Sequence, residues 1–157
     1  MKKHFTATAY IAAKFNKEYK ILLHKHKKQQ IWIGVGGHIE EKENPYEAVL
    51  REAKEETNLD IKILSSGKLL KRKDVEQIPE PVAILEETIP DHPSEPSHIH
   101  IDLIYFAICK NPKKIKMNED FAWFSKKDLR NKQSLPIKDK KIREEVAYLC
   151  QKLLSSI

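Results

Sequence analysis

Glu52, Glu55 and Glu56 crowd into one short stretch, with Arg51 directly beside them. If that stretch is helical, the i,i+3 and i,i+4 spacings set all three carboxylates on one face. Like charges so placed repel by roughly a few tenths of a kcal/mol per pair. A hard dication removes the repulsion. Carboxylate oxygens are the ligands that Mg²⁺ or Mn²⁺ prefers, with water and substrate phosphates completing the shell. Arg51 has Glu47 and Glu55 as helical neighbours and Glu43 within reach. A guanidinium can grip a carboxylate with two parallel hydrogen bonds and fix its aim.

The spacing continues in both directions. Gly37 is followed by five residues and Glu43, then seven residues and Arg51-Glu52-Ala53, then Glu55-Glu56 and Asn58-Leu59. This resembles the Nudix box, G-x(5)-E-x(7)-R-E-U-x-E-E-x-G-U, where U is apolar. Asn58 stands where the box has its last glycine. Asparagine tolerates the left-handed conformation of a helix C-terminus, and the acids are untouched.

The box spans residues 37–59, and the order of strands with a terminal helix extends the similarity along the chain. The resemblance implies an α/β (α+β) fold, a Nudix-like α/β/α sandwich with a mixed β-sheet, as one domain over residues 1–157. It implies a hydrolase that cleaves a pyrophosphate bond in a nucleoside diphosphate linked to another group, with Mg²⁺ or Mn²⁺ as cofactor. Carried onto this sequence, Glu52, Glu55, Glu56 and a backbone carbonyl near Gly37 hold the metal. Arg51 orients Glu52, and Glu43 pairs with Arg51. The cation neutralises phosphate oxygens that would repel a nucleophile and steadies the leaving phosphate. Glu52 is the first choice of general base. A later acid, Glu119 or Asp120, is the second.

Those residues must be carried by elements. Residues 4–13 and 19–24 alternate as strands around a turn, and 31–33 form a short apolar strand before GVGG. That glycine cluster demands unusual backbone angles or close backbone approach. Asn44 as N-cap, Pro45 in the first turn and Glu47 in a capping box predict a helix over Pro45–Thr57, ended by Asn58. Residues 60–73 and 81–89 read as strands, and 90–97 as a proline-rich loop. HIHIDLIYFAIC, residues 98–109, is the clearest strand. One face carries Ile99, Ile101, Leu103, Tyr105 and Ala107 as core; the other carries His98, His100 and Asp102, then Ile104, Phe106 and Ile108. Residues 121–124 form a short strand, Ser125 caps a short helix, and 138–154 form a terminal helix with Ile142, Val146, Leu149 and Leu153 on one stripe.

Several further residues are candidates for substrate contact. His98, His100 and Asp102 share a strand face that reads either as a pocket wall or as the wet end of a half-exposed strand. The helix acids already supply a hard-metal centre, and no histidine motif calls for a separate transition-metal site. His38 lies inside the box, and Trp32 precedes the glycine loop, where an indole can stack on a base. Trp123 reads as core, and His24 and His26 as part of a basic surface run. Cys109 and Cys150 are distant in sequence and suggest neither a disulfide framework nor a nucleophile.

The bulk properties narrow the partners. The net charge is +6, with basic runs at residues 24–28, 113–116 and 138–143. Lysine-rich surface explains them, and attraction of polyanions is the competing reading. No aromatics interleave with the lysines, so nucleic acid is the weaker candidate partner and a small nucleotide the stronger. No apolar run approaches bilayer-spanning length, which excludes a helical membrane anchor in this sequence and, with the cysteine pattern, points to the cytoplasm. The resemblance admits a homodimer, though no apolar patch is evident in the sequence. Three other activities compete: an RNA 5′-end pyrophosphohydrolase, a non-catalytic nucleotide-sensing domain on the same fold, and an isoprenoid diphosphate isomerase. The intact acid set argues against the sensor, and the cysteine placement against the isomerase.

Overall fold

The computed structural model describes residues 1–27, 30–130 and 142–157. Two long strands form its spine. Strand β1 (Lys3–Phe15) runs parallel to β7 (His98–Cys109), with His4 opposite His100 and Ala13 opposite Cys109. The other strands pair antiparallel to these or to each other, so the sheet is mixed. Both outer edges of the spine are shared. The free edge of β1 pairs first with β4 (Val35–His38), through Thr6 to Ala9, and then with β2 (Glu18–Lys25), through Ile11 to Phe15. Because β2 and β4 occupy successive lengths of one edge, they diverge from each other. Strand β2 also pairs with β3 (Trp32–Ile33) and β8 (Phe121–Ser125).

The glycine cluster works through close approach. Gly34, Gly36 and Gly37 all keep negative φ. A Cβ on Gly36 would lie 2.2 Å from the Ala7 carbonyl oxygen, and one on Gly37 would lie 2.5 Å from Glu52 Oε1.

Helix α1 (Pro45–Thr57) has the limits its local signals predict. Asn44 accepts from the Glu47 backbone N–H, and Glu47 accepts from that of Asn44. Asn58 takes φ 60° and ends the helix in the left-handed region. Ala48, Val49 and Ala53 are buried against Ala7, Ile11, Val35 and Tyr105. On the opposite sheet face, α3 (Glu144–Ser156) buries Val146, Leu149, Cys150 and Leu153 against Tyr10, Ile21, Phe106 and Phe124. The short α2 (Lys126–Arg130) packs beside it, capped by Ser125 and Asp128. Two apolar layers on one mixed sheet make the expected α/β/α sandwich.

Three expectations need correction. The strand over 60–73 shrinks to β5 (Ile61–Ile63). The chain leaves the β7 edge at Leu64, which donates to Phe106 O, and returns at Val82, which donates to Ile104 O. Strand β6 (Ala83–Ile89) fills the next length of that edge, so residues between them have no ladder to join. Strand β7 does not have one core face: Ile104 and Phe106 are as buried as Tyr105 and Ala107, because α3 covers the second side. The terminal helix begins at Glu144. Ile142 bridges Trp32 in extended backbone and joins the same apolar cluster, while residues 138–141 and Lys28 lie outside the described residues. Among the described residues, no helix is long and apolar enough to cross a membrane.

Candidate active site

Arg51 organises the acids of α1. Its Nε and Nη2 donate to the two oxygens of Glu43 at 3.0 and 2.7 Å, a two-point grip. Its Nη1 donates to Glu52 Oε1 at 2.8 Å and to Glu55 Oε2 at 3.2 Å, and Nη2 also reaches the His38 carbonyl. One guanidinium therefore ties the loop after β4 to two helix carboxylates. The hydrogen bonds from Arg51 hold the Glu43 carboxyl below its usual range, and Glu43 first, then Glu52, raise the Arg51 guanidinium further. Glu43 and Glu52 are largely covered, whereas the Glu55 side chain is 61% exposed.

Glu56 stands outside the Arg51 network and is more covered than Glu55. Its Oε2 is buried and has no hydrogen-bond partner among the described residues. Burial pushes its carboxyl up to about 7, and the neighbouring charges of Glu52 and Glu55 add to the shift, while the Gly36 backbone N–H pulls in the opposite direction. An unpartnered, crowded carboxylate is costly to ionise in this setting. A hard cation among Glu52, Glu55 and Glu56 would satisfy that oxygen and cancel the repulsion. The donor set is all oxygen and so fits Mg²⁺ or Mn²⁺ in its chemistry, although among the described residues the three carboxylates do not converge as one ligand group. Gly37 belongs to the fit because only a missing side chain leaves room for the Glu52 carboxylate.

Glu56 opens onto a cleft of about 950 Å³ that runs along the divergence of β2 and β4. That volume suits a nucleotide-sized ligand. His38, His98 and His100 line it, as sequence reasoning allowed. His98 is not wet: it is 4% exposed. Asp102 lies deeper on the same strand face, accepting from the hydroxyls of Thr6 and Thr8. Burial raises its carboxyl to about 6. Trp32 is withdrawn from the cleft, 2% exposed, and packs edge-on against Phe124 in the α3 layer. Of the two later acids, Asp120 lines the cleft, while Glu119 is exposed outside it.

Two histidines were missed. His24 is no surface residue. It stacks on Phe121 at 4.8 Å, and its Nδ1 stands 3.9 Å from Glu56 Oε2. Desolvation lowers its pKa first, and Asp120 acts against that shift. His4 joins His38, His98 and His100 in one cluster. Both depend on strand pairing; the available signal was the alternation that puts His4 on the same face as Thr6 and Thr8.

The NUDIX domain family model matches residues 4–146. A Nudix-family hydrolase from Clostridium perfringens is 27% identical, with 99% of both chains covered and a TM-score of 0.73. An Ap4A hydrolase from C. elegans is 19% identical over 99% of this chain and 98% of its own, at a TM-score of 0.60. A UDP-X diphosphatase is 18% identical over 99% of this chain and 64% of its own, at 0.59. No curated protein matches the chain.

Proposed function

Since this chain belongs to the Nudix family and is a Nudix pyrophosphohydrolase, we propose that its substrate is a small nucleoside diphosphate linked to another group and that the reaction is divalent-metal-dependent. The observation that carries the metal reading is the buried, unpartnered Oε2 of Glu56, a residue that lines a nucleotide-sized cleft. Glu52, Glu55, Glu56 and the backbone near Gly37 would hold Mg²⁺ or Mn²⁺. The cation, when bound, offsets charge on the phosphates and makes water a better nucleophile.

The chain's own residues do the positioning. Glu43 anchors Arg51, and Arg51 holds Glu52 at one oxygen, leaving the other free to take a proton from the attacking water. Asp120 in the cleft is the alternative base; its position favours it over Glu119. His38 and His100 form the wall against which the linked group would rest. Ap4A and UDP-X, named for the two distant structural relatives, are of the proposed substrate class. Buried free Cys109 and Cys150 accord with a cytoplasmic setting.

The test is a Mg²⁺-dependent hydrolysis panel of dNTPs, ADP-ribose, UDP-sugars, dinucleoside polyphosphates and triphosphorylated RNA. A small nucleoside diphosphate derivative should give the highest kcat/KM, with little salt dependence. Turnover confined to RNA, with affinity falling steeply with salt, would replace this substrate class by the RNA 5′-end reading.

A further inference from the structure

We propose that His4, His38, His98 and His100, with Glu95, form a second metal site for a borderline transition-metal dication of the Zn²⁺ type, separate from the carboxylate site on α1. Three strands and one loop bring these residues together. His4 comes from β1, His38 from β4, His98 and His100 from β7, and Glu95 from the loop before it. The ligating atoms of His4, His38 and His100 all lie within 4.8 Å of one another, as do those of His4, Glu95 and His98.

The individual separations match what such an ion requires. Bonds of about 2.0–2.1 Å put neighbouring ligand atoms about 3.3 Å apart when four of these donors bind, and the fifth stands by for a five-coordinate shell. His38 Nε2 and His4 Nδ1 are 3.3 Å apart, and His98 Nε2 and His100 Nε2 are 3.0 Å apart. Glu95 Oε1 stands 3.7 Å from His98 Nε2 and 4.0 Å from His4 Nδ1.

An outer-shell contact is in place behind His98 but not behind His4. His98 Nδ1 lies 2.9 Å from the Pro96 carbonyl, which can only accept. That contact keeps the proton on Nδ1 and turns the Nε2 lone pair toward the cluster, the usual arrangement behind a metal-ligating imidazole. The His98 side chain is 5% exposed, so its aim is set by packing. His4 Nε2 is buried and has no hydrogen-bond partner among the described residues.

The donor chemistry favours a cation over an anion as occupant. Neutral imidazoles offer lone pairs to a metal but little charge to a phosphate. Imidazole donors with one carboxylate select Zn²⁺, Co²⁺ or Ni²⁺ over Mg²⁺, which demands oxygen.

The experiment uses the full chain, stripped with chelator, then given Zn²⁺ in excess Mg²⁺ and passed through gel filtration. Retained metal is measured by atomic emission. The wild type should keep one equivalent of Zn²⁺, and the Co²⁺ form should show visible d–d bands. His100→Ala and the surface-exposed His38→Ala, each checked as folded by circular dichroism, should lower retention at least tenfold. Glu56→Gln should retain the full equivalent. The proposal is overturned if the wild type keeps no Zn²⁺, if both folded histidine variants keep it, or if Glu56→Gln alone loses it. The readout is Zn²⁺ retention and not turnover, so this site and the carboxylate site fail or stand separately.

Discussion

Glu56 is the side chain whose protonation most directly reports the candidate active site. Its folded-state pKa of about 7 lies above the ordinary carboxylate value. The sign follows from linkage: its stability contribution is fully present below the unfolded pKa and is lost as pH rises through about 7. Without divalent cation, Tm should therefore fall between pH 5 and 8, and Mg²⁺ should restore it at the upper end. Asp102, raised to about 6, contributes with the same sign. The diagnostic is therefore the difference between wild type and Glu56→Gln, measured by calorimetry with and without Mg²⁺. Parallel slopes in the two proteins would mean that Glu56 does not titrate in this range. Gly37 offers a second residue-scale test. The atom a new Cβ would strike is the end of the Glu52 side chain, which can swing away. Gly37→Ala should stay folded and lose roughly 10- to 100-fold in kcat/KM, the usual cost of disturbing what orients a metal ligand; unchanged kinetics would separate Glu52 from the chemistry. The placement of Arg51 beside Glu43, Glu52 and Glu55 was legible because it depends on helical spacing and a short loop. The approach of His24 to Glu56, and of His4 to His100, was not, because each depends on which strands pair.

At the scale of elements, local signals decided what the sequence made plain. Helix α1 carries its own N-cap, capping box and left-handed terminus, so its limits needed no tertiary information. Residues 60–73 show the opposite case. Their composition allows a strand, but β6 and β7 use the available ladder, and propensity yields to pairing. Likewise, the second covered face of β7 depended on where α3 docks. Two substitutions separate local from tertiary control. Asn58→Gly keeps the left-handed cap and gives up only a 3.3 Å bond to the Lys114 carbonyl. It should change stability by less than about 1 kcal/mol. Gly36→Ala drives a Cβ to 2.2 Å from the Ala7 carbonyl, a backbone atom within the β1–β4 ladder. It should cost about 1–3 kcal/mol in urea unfolding. If Gly36→Ala proved as stable as wild type, β4 would not lie against β1 in this register.

Across the whole molecule, the sheet is what joins the two chemistries. Helix α1 lies on one face and α3 on the other, while the histidines share the α3 face of β1, β4 and β7. One cleft is lined by Glu56, His24 and Asp120 together with the histidine wall. The parallel pairing of β1 with β7 is the least legible feature in sequence and the most consequential one. It joins residues nearly a hundred positions apart, such as Thr6 and Asp102. The central claim remains that the α1 carboxylates hold a catalytic dication. It is tested most directly by titrating Mg²⁺ against turnover of the best substrate from the panel, in wild type and in Glu56→Gln. Turnover should be absent in chelator, saturate with Mg²⁺, and fall at least a hundredfold in a variant that remains folded. Equal Mg²⁺-dependent turnover in the two proteins would contradict it.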